Sequence, residues 1–184
     1  MIEQEVKLPF DSVEAARQSI QSAGGRLVVS RRLLDDRLYD TPEAHLRRAG
    51  CALRVRRDGS ETVLTFKGAQ QPGPVKSREE IETTMGDPAA AEAILSAIGF
   101  RQCFRSEKYR EDYEIDGVTV IVDDTPMGVF VEIEGMPDAI VRIAAAIGRS
   151  PADFELASYP GLYRRWCERH GRTPGDMVFE NLEN

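Results

Sequence analysis

The chain has 184 residues, 41% of them hydrophobic and 30% charged, with 24 Lys and Arg against 31 Asp and Glu for a formal net charge of −7. This length and balance describe one soluble globular domain, residues 1–184, able to bury a core without staples. The acidic balance excludes general nucleic-acid binding, which depends on phosphate neutralisation, and no run approaches the roughly 20 apolar residues of a membrane span.

The first stretch, Met1 to Leu8, reads as a strand. Alternation puts Glu3, Glu5 and Lys7 on one face and Ile2, Val6 and Leu8 on the other, with Gln4 the polar exception. No basic region, apolar stretch or cleavage site precedes it, so a cytoplasmic location without a signal peptide is expected. Asp11 or Ser12 is placed to cap a helix running to about Ala23, with an apolar stripe of Val13, Ala16, Ile20 and Ala23 ended by Gly24-Gly25. Leu27-Val28-Val29 is strand-like, and Asp35 to Tyr39 forms a strand running into a turn at Asp40 and Pro42. His45 to Ala49 makes a helical turn closed by Gly50.

From Gly50 the pattern is strand-rich. Cys51, Leu53 and Val55 alternate with Arg54 and Arg56, Asp58-Gly59 turns the chain, and Thr62, Leu64 and Phe66 alternate with Val63, Thr65 and Lys67. After a Gly/Pro-rich loop, Arg78, Glu80 and Glu82 share a strand face. A helix begins at Asp87-Pro88 and stops before Gly99. A strand carrying Lys108 and Arg110 then turns at Asp116-Gly117 into the apolar run Val118 to Val122, which meets Asp123 and Asp124. Val129, Val131 and Ile133 alternate with Phe130, Glu132 and Glu134, Pro137 to Ile147 reads as a helix, and Ser150-Pro151 opens a helical C-terminal segment. Three widely spaced cysteines, Cys51, Cys103 and Cys167, read as free, buried thiols, and two histidines supply no zinc constellation.

Most strands thus carry charge on one face and apolar residues on the other. Either an antiparallel sheet has one wet face, or the charged face lines a closed barrel. If the faces converge, seven cations (Lys7, Arg54, Arg56, Lys67, Arg78, Lys108, Arg110) meet Glu3, Glu5, Glu80, Glu82, Glu132 and Glu134. A metal chelate of an oligophosphate satisfies both signs, because arginines fork onto phosphate and carboxylates hold a hard cation. No GxxxxGK[ST] or GxSxG element is present.

In this order the motifs resemble those of the CYTH superfamily, the triphosphate tunnel metalloenzymes. Glu3-x-Glu5-x-Lys7 is similar to its ExExK signature, and Asp36-x-Leu38-Tyr39-Asp40-Thr41 to D-x-Y-[FY]-D-T, with Leu38 as a departure. Leu53 to Arg56 resembles LRxR, Leu64 to Lys67 LTxK, Arg78-x-Glu80-x-Glu82 RxExE, and Gly128 to Glu134 GxFxEIE, with Lys108-x-Arg110 a basic strand and Ser158-Tyr159 a late SY element. The resemblance implies an α+β fold: an eight-stranded antiparallel β-barrel, hydrophilic inside, with helices packed outside. It implies that Lys7, Arg54, Arg56, Lys67, Arg78, Lys108 and Arg110 bind a triphosphate. Mg²⁺ or Mn²⁺ is assigned to Glu3, Glu5, Glu132, Glu134 and Asp123, with Asp124 the alternative to Asp123. Glu5 and Glu134 carry a catalytic role through metal, and Tyr39 and Lys67 match positions used at the leaving phosphate in a thiamine-triphosphatase branch.

The expected activity is metal-dependent hydrolysis of inorganic triphosphate or a triphosphorylated small molecule, by a monomer or homodimer without nucleic-acid or membrane partners. A class IV-type adenylate cyclase would use the same ligands, and a non-catalytic polyphosphate or nucleotide binder would hold triphosphate without turnover.

Overall fold

The computed structural model describes residues 1–181. Its strands are β1 (Ile2–Phe10), β2 (Arg26–Asp40), β3 (Ala52–Asp58), β4 (Glu61–Lys67), β5 (Lys76–Thr84), β6 (Arg101–Ile115), β7 (Val118–Thr125) and β8 (Gly128–Glu134). They close into an antiparallel barrel in the order β1-β5-β4-β3-β2-β6-β7-β8. Outside it lie α1 (Val13–Ser22), α2 (His45–Arg48), α3 (Pro88–Ala97), α4 (Pro137–Ala146) and α5 (Tyr159–Arg169). Among the described residues no helix is long and apolar enough to cross a membrane.

Local chemistry sets the connections. Ser12, not Asp11, caps α1, its hydroxyl accepting from the Ala15 amide. Asp116 and Gly117 both take positive φ, 50° and 75°, the conformation a two-residue hairpin needs to match strand twist. Residues 26–40 form one 15-residue strand instead of the two pieces the sequence suggests. Register shifts after Leu27, Val29 and Leu38 absorb the breaks in alternation. The C-terminal segment also differs from one helical run. Ser150 and Asp153 cap a short 3₁₀ turn, the Glu155 backbone pairs with Lys7, and a new helix starts after Ser158.

The barrel settles which face is inside. Val6 and Leu8 of β1, Val120 and Val122 of β7, and Val131 and Ile133 of β8 point outward. They pack under Ala16 and Ile20 of α1 and Ile140, Ile143 and Ala144 of α4. Tyr39, Val55 and Leu95 form a second apolar cluster, and Tyr163, Cys167 and Met177 a third beneath α5. The main cores therefore lie between barrel and helices, which leaves the charged faces to line the interior. Of the cysteines, all free, Cys167 alone is buried; Cys51 is half-buried and Cys103 exposed, at odds with the expectation of three buried thiols.

Candidate active site

Register aligns the interior charges. Glu5 lies opposite Lys76 on one side and Glu134 on the other, and Lys7 lies opposite Glu132. Lys67 faces Glu80, and Arg110 faces Asp123. Because Cβ atoms of directly paired residues lie about 5 Å apart, the strands assemble ion pairs that no local stretch of chain contains.

Two groups of charge result. In one, Asp123 is completely buried and accepts from Lys108 Nζ at 2.6 Å and from Arg110 Nε and Nη2, each at 2.7 Å. Arg110 also reaches Glu132 at 2.9 Å, and Lys7 joins Glu132 at 3.1 Å to Glu5 at 2.7 Å. Burial works against the charged forms of Asp123 and Glu132, but the cations around each outweigh it and hold both acids below their ordinary range. Burial, then the neighbouring Arg110 charge, pushes Lys108 down to about 8. Nearby, Asp36 accepts a two-pronged bond from Arg56 at 2.7 and 2.8 Å.

The other group is rich in carboxylates. Ligand oxygens of Glu3, Glu5 and Glu134 lie within 4.8 Å of one another. Burial pushes Glu3 up to about 7, helped by a hydrogen bond with Glu80 and the charge of Glu5. Burial and the charge of Glu132 raise Glu134, which among the described residues makes no hydrogen bond or ion pair. Lys67 bonds Glu80 and lies 3.3 Å from Glu3, and Arg78 lies 3.3 Å from Glu80 and 3.6 Å from Glu3. Three oxygen donors converge: burial raises the pKa of Glu3 and Glu134, while the Lys7 and Lys76 charges outweigh burial and hold Glu5 below its ordinary range, and such a set fits a hard divalent cation.

Arg54 is the converse. Burial, then the charge of Arg56, lowers its pKa from the ordinary value. Its hydrogen bond goes to the neutral Thr65 hydroxyl at 3.1 Å, and no carboxylate pairs with it among the described residues. Glu82 turns to the same hydroxyl at 3.2 Å. Asp36 and Glu80 act on Arg54 only at a distance, and its Nε–H has no partner, so the guanidinium can take a bound anion.

The tunnel ends differ. At one, Tyr159 at the start of α5 donates its hydroxyl to Asp123 at 2.8 Å, and Lys7 and Lys108 sit 5.1 and 4.5 Å from its ring centre. At the other, a cavity of about 330 Å³ is lined by Arg110, Glu134, Asp112, Glu114, Ile121 and Val28, among others.

All seven predicted cations and Glu3, Glu5, Glu132, Glu134 and Asp123 thus line one interior. Among the described residues only Glu3, Glu5 and Glu134 bring their ligand oxygens within 4.8 Å of one another, while Glu132 and Asp123 are bonded by lysines and Arg110. Asp124 points to the opposite side and pairs with Arg31 at 2.7 Å. Tyr39 is not brought into the tunnel. It is one step out of phase with Asp36 and Leu38 and packs outside the barrel with Val55 and Leu95. Tyr39→Phe is accordingly expected to leave turnover of a phosphate substrate within about twofold, since it removes no interior group; a tenfold loss in steady-state rate would return Tyr39 to the site. Lys76 escaped the sequence reading, and Asp36 and Tyr159 entered it only as motif residues without a role in the site. Lys76 continues the alternation of Arg78, Glu80 and Glu82, a signal that was present; Asp36 resembled a turn residue; and the contact of Tyr159 with Asp123 spans 36 positions.

Known proteins share this architecture. A Methanocaldococcus jannaschii protein named "Putative adenylate cyclase" is 27% identical over 135 residues, 73% of this chain and 77% of that one. Protein PH1819 of Pyrococcus horikoshii superposes with a TM-score of 0.75 at 26% identity, over 89% of this chain and 98% of its own. Protein HpAC1 of Hippeastrum gives 0.67 at 17% identity, over 94% and 97%. The CYTH domain matches residues 1–148, from the ExExK strand to just beyond α4. With the barrel closed and its charged faces turned inward, the chain belongs to the CYTH domain family.

Proposed function

We propose that this protein is a metal-dependent triphosphatase acting on inorganic triphosphate or a triphosphorylated small molecule within the barrel. One observation carries the reading: a half-buried guanidinium, Arg54, and a half-buried carboxylate, Glu134, line the same closed tunnel, and among the described residues neither makes a direct ion pair. A polyphosphate–metal chelate gives each a direct counter-charge, and either component alone supplies only one of them.

Glu3, Glu5 and Glu134 would hold Mg²⁺ or Mn²⁺, which when bound would offset phosphate charge and assist attack by water. Arg54, Arg56, Arg78 and Arg110, with Lys7, Lys67 and Lys108, would bind and align the phosphate oxygens. Positioning and charge neutralisation are the main catalytic contributions in phosphoryl transfer. Tyr159, covering one end, limits water there, so the substrate would enter beside Glu134. The cavity there, about 330 Å³, is at the small end of ligand pockets, which span roughly 300–1,000 Å³. Among proteins of this fold, HpAC1 has a dominant triphosphatase activity.

The second reading, cyclisation of ATP, is favoured by the name of the Methanocaldococcus jannaschii relative. A product assay on purified protein separates the two. Inorganic triphosphate, ATP and thiamine triphosphate are supplied with Mg²⁺ or Mn²⁺ and with a chelator control. Chelator-sensitive phosphate release without cyclic AMP is expected. Cyclic AMP and pyrophosphate from ATP would replace the hydrolase reading with the cyclase one, and tight triphosphate binding without any product would leave a binding protein.

A further inference from the structure

Lys76 opens β5 directly opposite Glu5, and its ammonium is 3% exposed as a residue within the barrel wall. Its bond goes to Glu5 Oε1, the oxygen that also accepts from Lys7 Nζ at 2.7 Å. Glu5 is therefore held by two ammonium groups while its carboxylate also belongs to the three-acid group with Glu3 and Glu134. The two lysines differ in what else holds them. Lys7 has Glu132 at 3.1 Å and the Tyr159 ring at 5.1 Å. Lys76 has no hydrogen bond or ion pair besides Glu5 among the described residues.

A dication ligated by Glu5 would repel both ammonium groups and would draw on the charge that pairs with them. Lys7 keeps a partner when that happens. Lys76 is left as a buried cation without one, a costly state unless an anion arrives. We propose that Lys76 is a tethered counter-ion that competes with the metal for Glu5 and, once displaced, pairs with substrate phosphate, so that metal and triphosphate strengthen each other's binding. The proposal rests on the metal–phosphate reading of the tunnel and adds an energetic coupling between its two ligands. Such coupling is reciprocal, and factors of roughly 5–150 are typical.

The test is Mn²⁺ titration of the full chain by calorimetry, with and without a non-hydrolysable imido analogue of triphosphate, for the parent, Lys76→Met and Lys76→Gln. Lys76→Gln keeps a hydrogen-bonding group beside Glu5 without the charge, and serves if the methionine variant does not fold. Without the analogue, either variant is expected to bind Mn²⁺ about tenfold more tightly than the parent. The tightening of Mn²⁺ binding by the analogue is expected to shrink by a similar factor. If the parent binds Mn²⁺ and the folded variants bind it equally or more weakly, the competition by Lys76 is overturned while the metal site stands. If the variants bind Mn²⁺ more tightly but the analogue effect is unchanged, the transfer of Lys76 to phosphate is overturned. Parent protein that takes up neither Mn²⁺ nor the analogue would remove the metal–phosphate reading itself.

Discussion

Glu134→Gln is expected to lower metal affinity and hydrolysis by roughly 100-fold or more, because a charged ligand worth several kcal/mol is replaced by a neutral one at about 1.36 kcal/mol per tenfold. The same change should leave the melting temperature of the metal-free protein unchanged or raised. Glu134 has no cation bonded to it among the described residues, and burial with the charges of Glu132 and Glu5 already disfavours its ionised form. Removing that charge relieves repulsion and orphans no partner. Metal titration, steady-state kinetics and a chelator-treated thermal melt check the three expectations. A variant with full activity and parental metal affinity would take Glu134 out of the ligand set. One that melts well below the parent would show that its charge supports the fold.

Arg54→Gln is expected to weaken triphosphate binding by roughly 30-fold or more, the equivalent of one or two charge-assisted bonds of about 1.5–3 kcal/mol each. The fold should tolerate it. Arg54 bonds the Thr65 hydroxyl and pairs with no acid among the described residues, so its loss strands no carboxylate. Arg110→Gln makes the contrast. Asp123 and Glu132 both accept from Arg110; Lys108 and Lys7 remain with them, so its loss should cost part of the roughly 3–5 kcal/mol of a broken buried pair. The two variants should therefore separate by melting temperature while both lose ligand affinity. Equal destabilisation in a denaturant series would mean that Asp36 or Glu80 depends on Arg54 as a structural counter-charge, and Arg54 would then not be a cation held ready for phosphate.

These outcomes follow from how charge is distributed between the walls. Asp123 and Glu132 are ion-paired with Lys7, Lys108 and Arg110. Glu3, Glu5 and Glu134 are the acids grouped for a cation. The family resemblance assigns all five to the metal, and strand alternation carries no information about which cation each acid meets. Cross-strand register supplies it, placing Arg110 opposite Asp123 and Lys7 opposite Glu132. Tyr39 shows the same limit from the other side. Its motif suggests a site residue, but the strand phase that sends Asp36 inward sends Tyr39 outward under Leu95.

The sequence by itself determines most of the strand and helix order, the turns at Asp58-Gly59 and Asp116-Gly117, the Asp87 cap, and the set of basic and acidic side chains that share a face. These are local properties, decided by side-chain alternation, turn conformation and capping within a few residues. Only the tertiary structure decides that the charged faces turn inward, since a wet outer face and a lined tunnel produce the same alternation. It also decides that Lys76 shares Glu5 with Lys7, that Tyr159 bonds Asp123, and that among the described residues neither Arg54 nor Glu134 makes a direct ion pair. Each depends on barrel closure bringing together residues distant in the chain, and whether a buried charge is compensated is a property of that assembled neighbourhood.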